Sequence, residues 1–389
     1  MRLIFIKISF VFLYISIFTS CSSSQREKNL ATEKDSTIVY DSISVNYSKR
    51  FSIKYCKGYK IIYVFGNRNN SDTTYTYVLY ERGIQKPSIK SKAQFIQIPV
   101  NRVASLSSLY TGCLEKLNLR DKIVAVDDAD FICDSSILSK VTKGEIKEVS
   151  KGTGNINIEQ TLLIRPELII TCGMGNPDKD INQQIIHSGI PIAISVEHLE
   201  TSPLAGAEWI KFFACFFNAE KKADSIFDNI VKRYTDLTRQ TEKLTNRPSV
   251  LTEMKYGDTW FVPGGKSFMA EMLKDAGANY IWKDDENFGS LQLSVEEVFN
   301  KSINTDYWLN LLFCNTKKDI ESQDNRYTEI KAFKTGKLYN NNARLNKKGG
   351  NAYWETGLMS PDEVLADMIF IFHSDLLPEH QLKYYQQLK

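Results

Sequence analysis

The sequence predicts an α/β protein: two Rossmann-like lobes with mostly parallel sheets, joined by one long rigid helix, with a small N-terminal β extension. Three observations carry this. Short apolar strands alternate with helical segments at 100–200 and again at 247–389, the texture of parallel sheets covered by helices. Residues 201–246 carry helical spacing with no convincing strand between. Residues 38–99 read as strands alone. The length of 389 residues suits two domains at roughly 100–200 residues each. Apolar residues make up 42% and charged residues 24%, an ordinary globular balance that argues against a disordered or polytopic membrane chain. Lys plus Arg number 49 against 46 Asp plus Glu, so charge gives no reason to expect a nucleic-acid partner. The 21 Phe, 19 Tyr and 5 Trp read first as an aromatic core.

The N-terminus sets the compartment. Arg2 and Lys7 precede an apolar run, Ile8 to Phe18, that is shorter than the ~20 residues needed to span a bilayer. Residues 1–20 therefore read as a signal peptide, excluded from fold reasoning. Thr19 and Ser20 before Cys21 look like a lipoprotein cleavage box, with Phe18 where the usual box has Leu. Cys21 is then the acylated mature N-terminus, anchored by about 0.8 kcal/mol per buried CH₂; the alternative is a plain signal peptide with a chance cysteine. Residues 21–37, rich in Ser, Lys and Glu, read as a flexible tether.

In the extension, Ser52–Tyr55, Tyr59–Phe65 and Thr74–Tyr80 read as strands, with a turn from Gly66, and 93–98 leads out. In the first lobe, strands are expected at 102–106, 122–126, 167–171 and 190–195. Helices are expected from Ser107 to Leu117, at 158–164 ending before Pro166, and at 178–188. Trp209, Phe212, Phe213 and Phe216, then Ala223, Ile226, Phe227, Ile230 and Tyr234, mark two linker helices. The second, at 219–244, would be about 39 Å long at 1.5 Å per residue. In the second lobe, strands are expected at 249–254, 260–262, 307–313 and 337–339, and helices at 267–276 and 294–300. Ser360-Pro-Asp-Glu opens a last helix to His373, with Ser as cap, Pro at its first position and acids in its first turn.

Chemistry is sparse. Cys56, Cys113, Cys133, Cys172, Cys215 and Cys314 show no CxxC spacing, which argues against a zinc site and for buried free thiols. His187, His198, His373 and His380 show neither HxxxH nor HExxH spacing, leaving only a cleft metal site fed by both lobes. Gly264-Gly-Lys-Ser267 ends like a P-loop, but Trp260 stands where its first Gly belongs. ATP binding is rejected, while free amides at the following helix start could hold an anion. Cys172-Gly-Met-Gly175 lacks a third Gly and reads as a turn at a sheet's carboxyl edge, where α/β lobes place ligand loops. No nucleophile–base motif is evident.

Arg102-Val-Ala-Ser-Leu-Ser107, Lys151-Gly-Thr-Gly-Asn-Ile-Asn-Ile-Glu159, Arg165-Pro-Glu-Leu-Ile-Ile170 and Gly189-Ile-Pro-Ile192 follow one another in an order that resembles the substrate-binding proteins of ABC importers for vitamin B12 and iron–siderophores. These are the class III, bridging-helix binding proteins, here in lipoprotein form. Trp260-Phe-Val-Pro-Gly-Gly265, Leu273 to Asn279 and Ser294-Val-Glu-Glu-Val298 continue the likeness from Val100 to the C-terminus. The resemblance implies a monomeric binding protein rather than an enzyme, on the periplasmic side of the envelope. It would use no cofactor of its own, and would deliver a ferric siderophore, haem or corrinoid to an inner-membrane permease dimer. It implies one docking glutamate per lobe, Glu159 and Glu296, with Glu297 as the alternative register. It implies a cleft lined by Ser107, Tyr110, Phe131, Lys151, Thr153 and Met174 from the first lobe, and by Tyr256, Trp260, Phe261, Arg344, Tyr353 and Trp354 from the second. Aromatics there would suit a planar ligand, and Arg344 and Lys151 its carboxylate or catecholate oxygens. The competing readings are a free zinc or manganese carrier and a lipoprotein hydrolase.

Overall fold

The computed structural model describes residues 40, 42–66, 74–89, 92–151, 156–180, 185 and 189–389. The signal peptide, Cys21, the tether and Thr153 lie outside them. Phe51–Cys56 (β1), Tyr59–Val64 (β2), Tyr75–Glu81 (β3) and Gln94–Ile98 (β4) form one sheet in that order. Its first three strands run antiparallel, and β4 pairs parallel to β3. Strand side chains alternate between faces. Ile62, Val64, Tyr75, Tyr77, Leu79, Ile96 and Ile98 thereby join the same apolar cluster as the neighbouring lobe. The extension is thus continuous with that lobe's core.

The first lobe places Val103–Ser105 (β5), Ile123–Val126 (β6), Lys147–Glu148 (β7), Leu168–Cys172 (β8) and Ile192–Ser195 (β9) in an all-parallel sheet of order β7-β6-β5-β8-β9. Between them run helices Ser108–Lys116 (α1), Ser135–Thr142 (α2), Ile158–Ile164 (α3) and Pro177–Asp180 (α4). Ser107, Asp134 and Asn157 cap the first three by accepting from helix amides. Leu168, Ile169 and Ile170 are fully buried, as a strand covered on both faces requires.

Two helices follow. Pro203–Cys215 (α5) is buried along its whole length, charged residues included. Glu208 accepts from the amides of Asn46 (2.9 Å), Tyr47 (2.7 Å) and Ser48 (2.8 Å), and Lys211 donates to the Ser44 carbonyl at 2.7 Å. These bonds strap residues 44–48 to the helix. Glu220–Thr241 (α6) has 22 residues, about 33 Å and shorter than the sequence expectation. Its stripe is shared: Ala223 and Phe227 belong to the first lobe's cluster, Ile230 and Tyr234 to the second's. One helix thus belongs to both cores.

The second lobe contains Ser249–Thr252 (β10), Lys255–Tyr256 (β11), Thr259–Pro263 (β12), Asn279–Tyr280 (β13), Ser290–Ser294 (β14), Tyr307–Leu309 (β15), Leu338–Asn340 (β16) and Gln386–Gln387 (β17). Its main sheet has order β13-β10-β15-β16-β17, parallel except for the β17 edge. A small antiparallel sheet, β11-β12-β14, sits beside it. Helices Phe268–Asp275 (α7) and Val295–Ser302 (α8) start at the serine caps Ser267 and Ser294. The strand expected at 307–313 stops at Leu309, because Asn310 and Leu312 turn left-handed.

Candidate functional site

In a doubly wound sheet the ligand crevice opens at the carboxyl ends of strands where the chain reverses its direction of winding. In the first lobe that point lies between β5 and β8. The ends of β5, β6 and β8 surround a cavity of about 210 Å³, lined by Ser105–Ser108, Thr111, Val126–Asp128, Phe131, Ile132 and Cys172. Ser107 borders it while its hydroxyl accepts from Leu109 N at 3.3 Å. Burial pushes the Asp127 carboxyl above its ordinary range. The Asp127 carbonyl accepts from the amides of Ser150 (3.1 Å) and Lys151 (3.2 Å), so Lys151, exposed and left-handed, is tethered at the cavity's edge.

A polar cluster adjoins the same strand ends. The Glu197 carboxylate accepts from the Ser195 hydroxyl and from the Tyr110 hydroxyl, the latter 3.4 Å from each oxygen. Cys172 Sγ lies 3.6 Å from His198 Nδ1. Burial, then the Glu197 charge, pushes the Cys172 thiol up to about 11. It is therefore protonated at neutral pH and unsuited to nucleophilic attack. Cys172 is exposed and Cys56 and Cys133 half-buried, so among the described residues buried thiols are found only at Cys113, Cys215 and Cys314. Among the described residues no group of three or more His, Cys, Asp or Glu could hold a metal ion.

The second lobe reverses between β10 and β15, and its edge is built differently. Glu253, Asn310 and Leu312 are all left-handed, at φ 64°, 59° and 47°. Such strain persists only where surroundings over-determine it, and here they do. Asn310 Nδ2 donates to Glu253 Oε1 (3.0 Å), and Tyr385 OH donates to Asn310 Oδ1 (2.9 Å). Asn340 accepts from Leu311 N (2.9 Å) and donates to the carbonyls of Leu312 (3.0 Å) and Cys314 (2.9 Å). Burial raises the Glu253 carboxyl to about 7. The turn throws Phe313 outward, 88% exposed.

Residues 346–355 of the second lobe clasp the first lobe beside its cavity. Asn346 Nδ2 donates to the carbonyls of Asp130 (2.8 Å) and Ile132 (2.7 Å). Glu355, buried, accepts from Cys133 N (2.7 Å) and Asp134 N (3.4 Å), where α2 begins. A Cβ at Gly112 would lie 2.1 Å from the Glu355 carbonyl, so only glycine lets α1 approach this closely. A π-helical turn at Tyr353–Gly357 supplies Glu355.

Of the cleft residues expected from sequence, Phe131, Met174, Tyr256, Phe261 and Trp354 are exposed large apolar side chains, Tyr256 and Phe261 on strands β11 and β12 and Trp354 in the π-helical turn. Arg344 is exposed, its guanidinium 6.0 Å from the Tyr384 ring centroid. Three others are core residues, a correction. Trp260 is wholly buried, 5.9 Å from Trp308 and edge-on to Tyr327; on β12 it faces inward and its neighbour Phe261 outward. Tyr353 is buried among Tyr384 and Tyr385. The Tyr110 ring packs on Phe213, leaving only its hydroxyl at the edge. Phe313 was hidden by the apolar run 307–313, which reads as one strand; the Asn pair at 310 and 315 was the available turn signal.

In the loop where an anion was expected, the amides of Gly264–Ser267 face acceptors within the protein. Gly264 N donates to the Gly289 carbonyl (2.8 Å), Lys266 N to that of Asn287 (2.9 Å) and Ser267 N to that of Gly264 (3.1 Å), while Gly265 N faces Asp285 Oδ1 at 3.4 Å. Those amides are already occupied. Glu159 is exposed in the first turn of α3, and Glu296 is exposed in that of α8, 3.6 Å from Arg326.

The chain is 24% identical to the uncharacterized lipoprotein MJ0878 of Methanocaldococcus jannaschii, over 95% of this chain and 93% of that one. It is 30% identical over 110 residues to the vitamin B12-binding protein of Vibrio campbellii, covering 28% of this chain and 36% of that one. Its fold is similar to that of a periplasmic heme binding protein from Pseudomonas aeruginosa, with TM-score 0.55, 15% identity, and coverage of 75% and 98% of the two chains. A possible iron-binding, periplasmic solute-binding protein from Staphylococcus epidermidis gives TM-score 0.53 and 17% identity over 70% and 98%. The Vibrio, Pseudomonas and Staphylococcus proteins are binding proteins by name. Residues 103–345, which include both switch points and stop just short of Asn346, match one family, and the chain belongs to it: the periplasmic binding proteins.

Proposed function

We propose that this chain is a lipid-anchored binding protein that captures a metal chelate between its lobes and hands it to an ABC permease dimer. The chelate would be a ferric siderophore, haem or cobalamin-type corrinoid. The observation that carries this reading is the pairing of unlike edges: a polar cavity at β5, β6 and β8, clasped by a second lobe that exposes Tyr256, Phe261, Phe313 and Trp354. Aromatic faces contribute apolar area and stacking to a large planar or lipophilic body. Arg344 and Lys151 offer charge-assisted bonds to its peripheral oxygens. The names of the Vibrio and Pseudomonas proteins agree with this ligand class. Glu159 and Glu296 supply one exposed carboxylate per lobe for arginines of the permease, where charge sets register and on-rate. Acylation at Cys21 would hold the protein on the membrane.

The test is a thermal-shift titration of the full chain in detergent with cobalamin, cobinamide, haem and ferric siderophores, and with zinc and manganese salts. A ligand at a hundred times its Kd stabilises by about 2.7 kcal/mol. A saturable shift with one chelate establishes the role and names the cargo. A shift with bare zinc or manganese alone replaces this reading with that of a free-ion carrier.

A further inference from the structure

We propose that the N-terminal sheet β1–β4 is a positioning element of the cleft, which sets the loop presenting Met174 through Tyr75, Asp180 and a backbone contact between Gly66 and Gly175. The part of this that concerns ligand rests on the cleft reading above.

The loop leaves β8 at Cys172 and reaches α4 at Pro177. Its shape is held by one carboxylate. Asp180 accepts from Met174 N at 2.7 Å and from Asn176 N at 2.8 Å. The same Asp180 accepts from the Tyr75 hydroxyl at the start of β3. The hub that folds the loop is therefore gripped from the extension. A second grip is steric. A Cβ on Gly66 would lie 2.4 Å from the Gly175 carbonyl oxygen, and one on Gly175 would lie 2.5 Å from Gly66 Cα; Gly175 is also left-handed, at φ 77°. Arg50 completes the frame: its Nη1 donates to the Gly66 carbonyl (2.8 Å) and its Nε to that of Leu199 (2.9 Å). It thus ties the end of β2 to the loop that follows β9.

The rest of the sheet contact is plain architecture. Gln94 pairs with both Ile192 N (2.8 Å) and its carbonyl (3.0 Å), and Ile194 N donates to the Tyr77 hydroxyl (2.8 Å). These finish the open edge of β9, where unpaired backbone groups would otherwise stand exposed. Architecture alone would not need the Tyr75 hydroxyl bond or the close approach of Gly66 to Gly175, both of which end on the segment that shapes the loop bearing Met174, itself 67% exposed. Side chains at a binding site are held in productive geometry by partners of this kind.

The experiment compares the full chain in detergent with Tyr75→Phe, Gly175→Ala and, as control, Tyr77→Phe. Amide hydrogen exchange at 173–176 is read without ligand, and affinity is read with haemin, cobinamide and a ferric tricatecholate. Tyr75→Phe is expected to speed exchange at Met174 and Asn176, and to weaken the probe that binds, by about tenfold or more each, as loss of a hydrogen bond to a charged group does. Gly175→Ala should do the same more strongly. Tyr77→Phe should lower the melting temperature while leaving both readouts alone. Unchanged exchange in Tyr75→Phe overturns the proposal, and so does an equal loss of affinity in Tyr77→Phe, which would mark a general structural effect. If the wild type binds no probe, the cleft reading falls, and the exchange comparison still decides whether the sheet sets the loop.

Discussion

In the first lobe, the ends of β5, β6 and β8 stand around an open cavity, and the structural support lies outside, in the four-stranded sheet packed on β9. In the second lobe, the ends of β10 and β15 are filled by Glu253 and Asn310, and the support lies inside, in side-chain hydrogen bonds from Asn340 and Tyr385. Both sheets reverse their winding at this edge, so topology gives each lobe the kind of crevice in which doubly wound sheets meet ligands. What each edge offers is decided by local residues: one receives, the other projects. The difference teaches that one topology can give two unlike edges, one concave and polar, the other convex and aromatic, and the proposed binding would draw on both.

The strongest way to break that comparison is to collapse one side of it. Trp260 is wholly buried against Trp308 and Tyr327. Trp260→Ala is expected to cost about 3–5 kcal/mol, read as a fall in the urea midpoint. A loss near zero would mean the second lobe's core does not depend on this cluster. The clasp ranks next. Glu355→Ala strands the amides of Cys133 and Asp134, at about 1–3 kcal/mol, whereas Glu355→Gln keeps an acceptor and should recover a good part of that loss. Equal losses in the two variants would show that Glu355 acts by packing alone.

A third test sharpens the contrast through pH. Folding raises the Glu253 carboxyl from 4.5 to about 7. Between those values the folded state keeps a proton that the unfolded chain has released. Its contribution is therefore most favourable below 4.5 and is lost as pH rises through about 7. Glu253→Gln should remove that slope and stabilise the chain at pH 8 by about 1–2 kcal/mol, allowing for solvent screening. Urea midpoints across pH 5–8 check it, and an unaltered slope would show that the strained edge carries no buried charge.

Much of the scaffold was legible because local signals agreed. Ser107, Ser267, Ser294 and Ser360 announced helix starts, although the Ser360 hydroxyl donates to the Thr356 carbonyl (2.9 Å) instead of capping, and the stripe Ala223, Phe227, Ile230, Tyr234 announced a helix between two cores. The site was less legible, because burial depends on which face a strand presents. Trp260 and Phe261 are adjacent aromatics with opposite fates. The clasp was invisible for a related reason. Gly112 and Glu355 are far apart in sequence, and nothing local in either says that one backbone will lie on the other. Strain was missed because Leu312 is an apolar residue that seldom turns left-handed, and Asn340, distant in sequence, helps to hold it there through Leu311 N and the Leu312 carbonyl.

The smallest effect on stability is the one that most directly tests the split. Phe313 is 88% exposed, so Phe313→Ala should change stability by less than about 0.5 kcal/mol. If the second lobe's convex face meets the ligand, the same change removes a full aromatic face from the contact and should weaken binding about tenfold. Phe131→Ala, on the rim of the first lobe's cavity, gives the matching measurement. Comparable losses in both, from titrations with the chelate that binds the wild type, mean that the ligand bridges the two edges. A loss confined to Phe131→Ala would place the ligand wholly in the first lobe. The strained turn at Asn310–Leu312 would then present Phe313 to something other than the cargo, and the opposition of concave and convex faces would describe the fold without describing the binding.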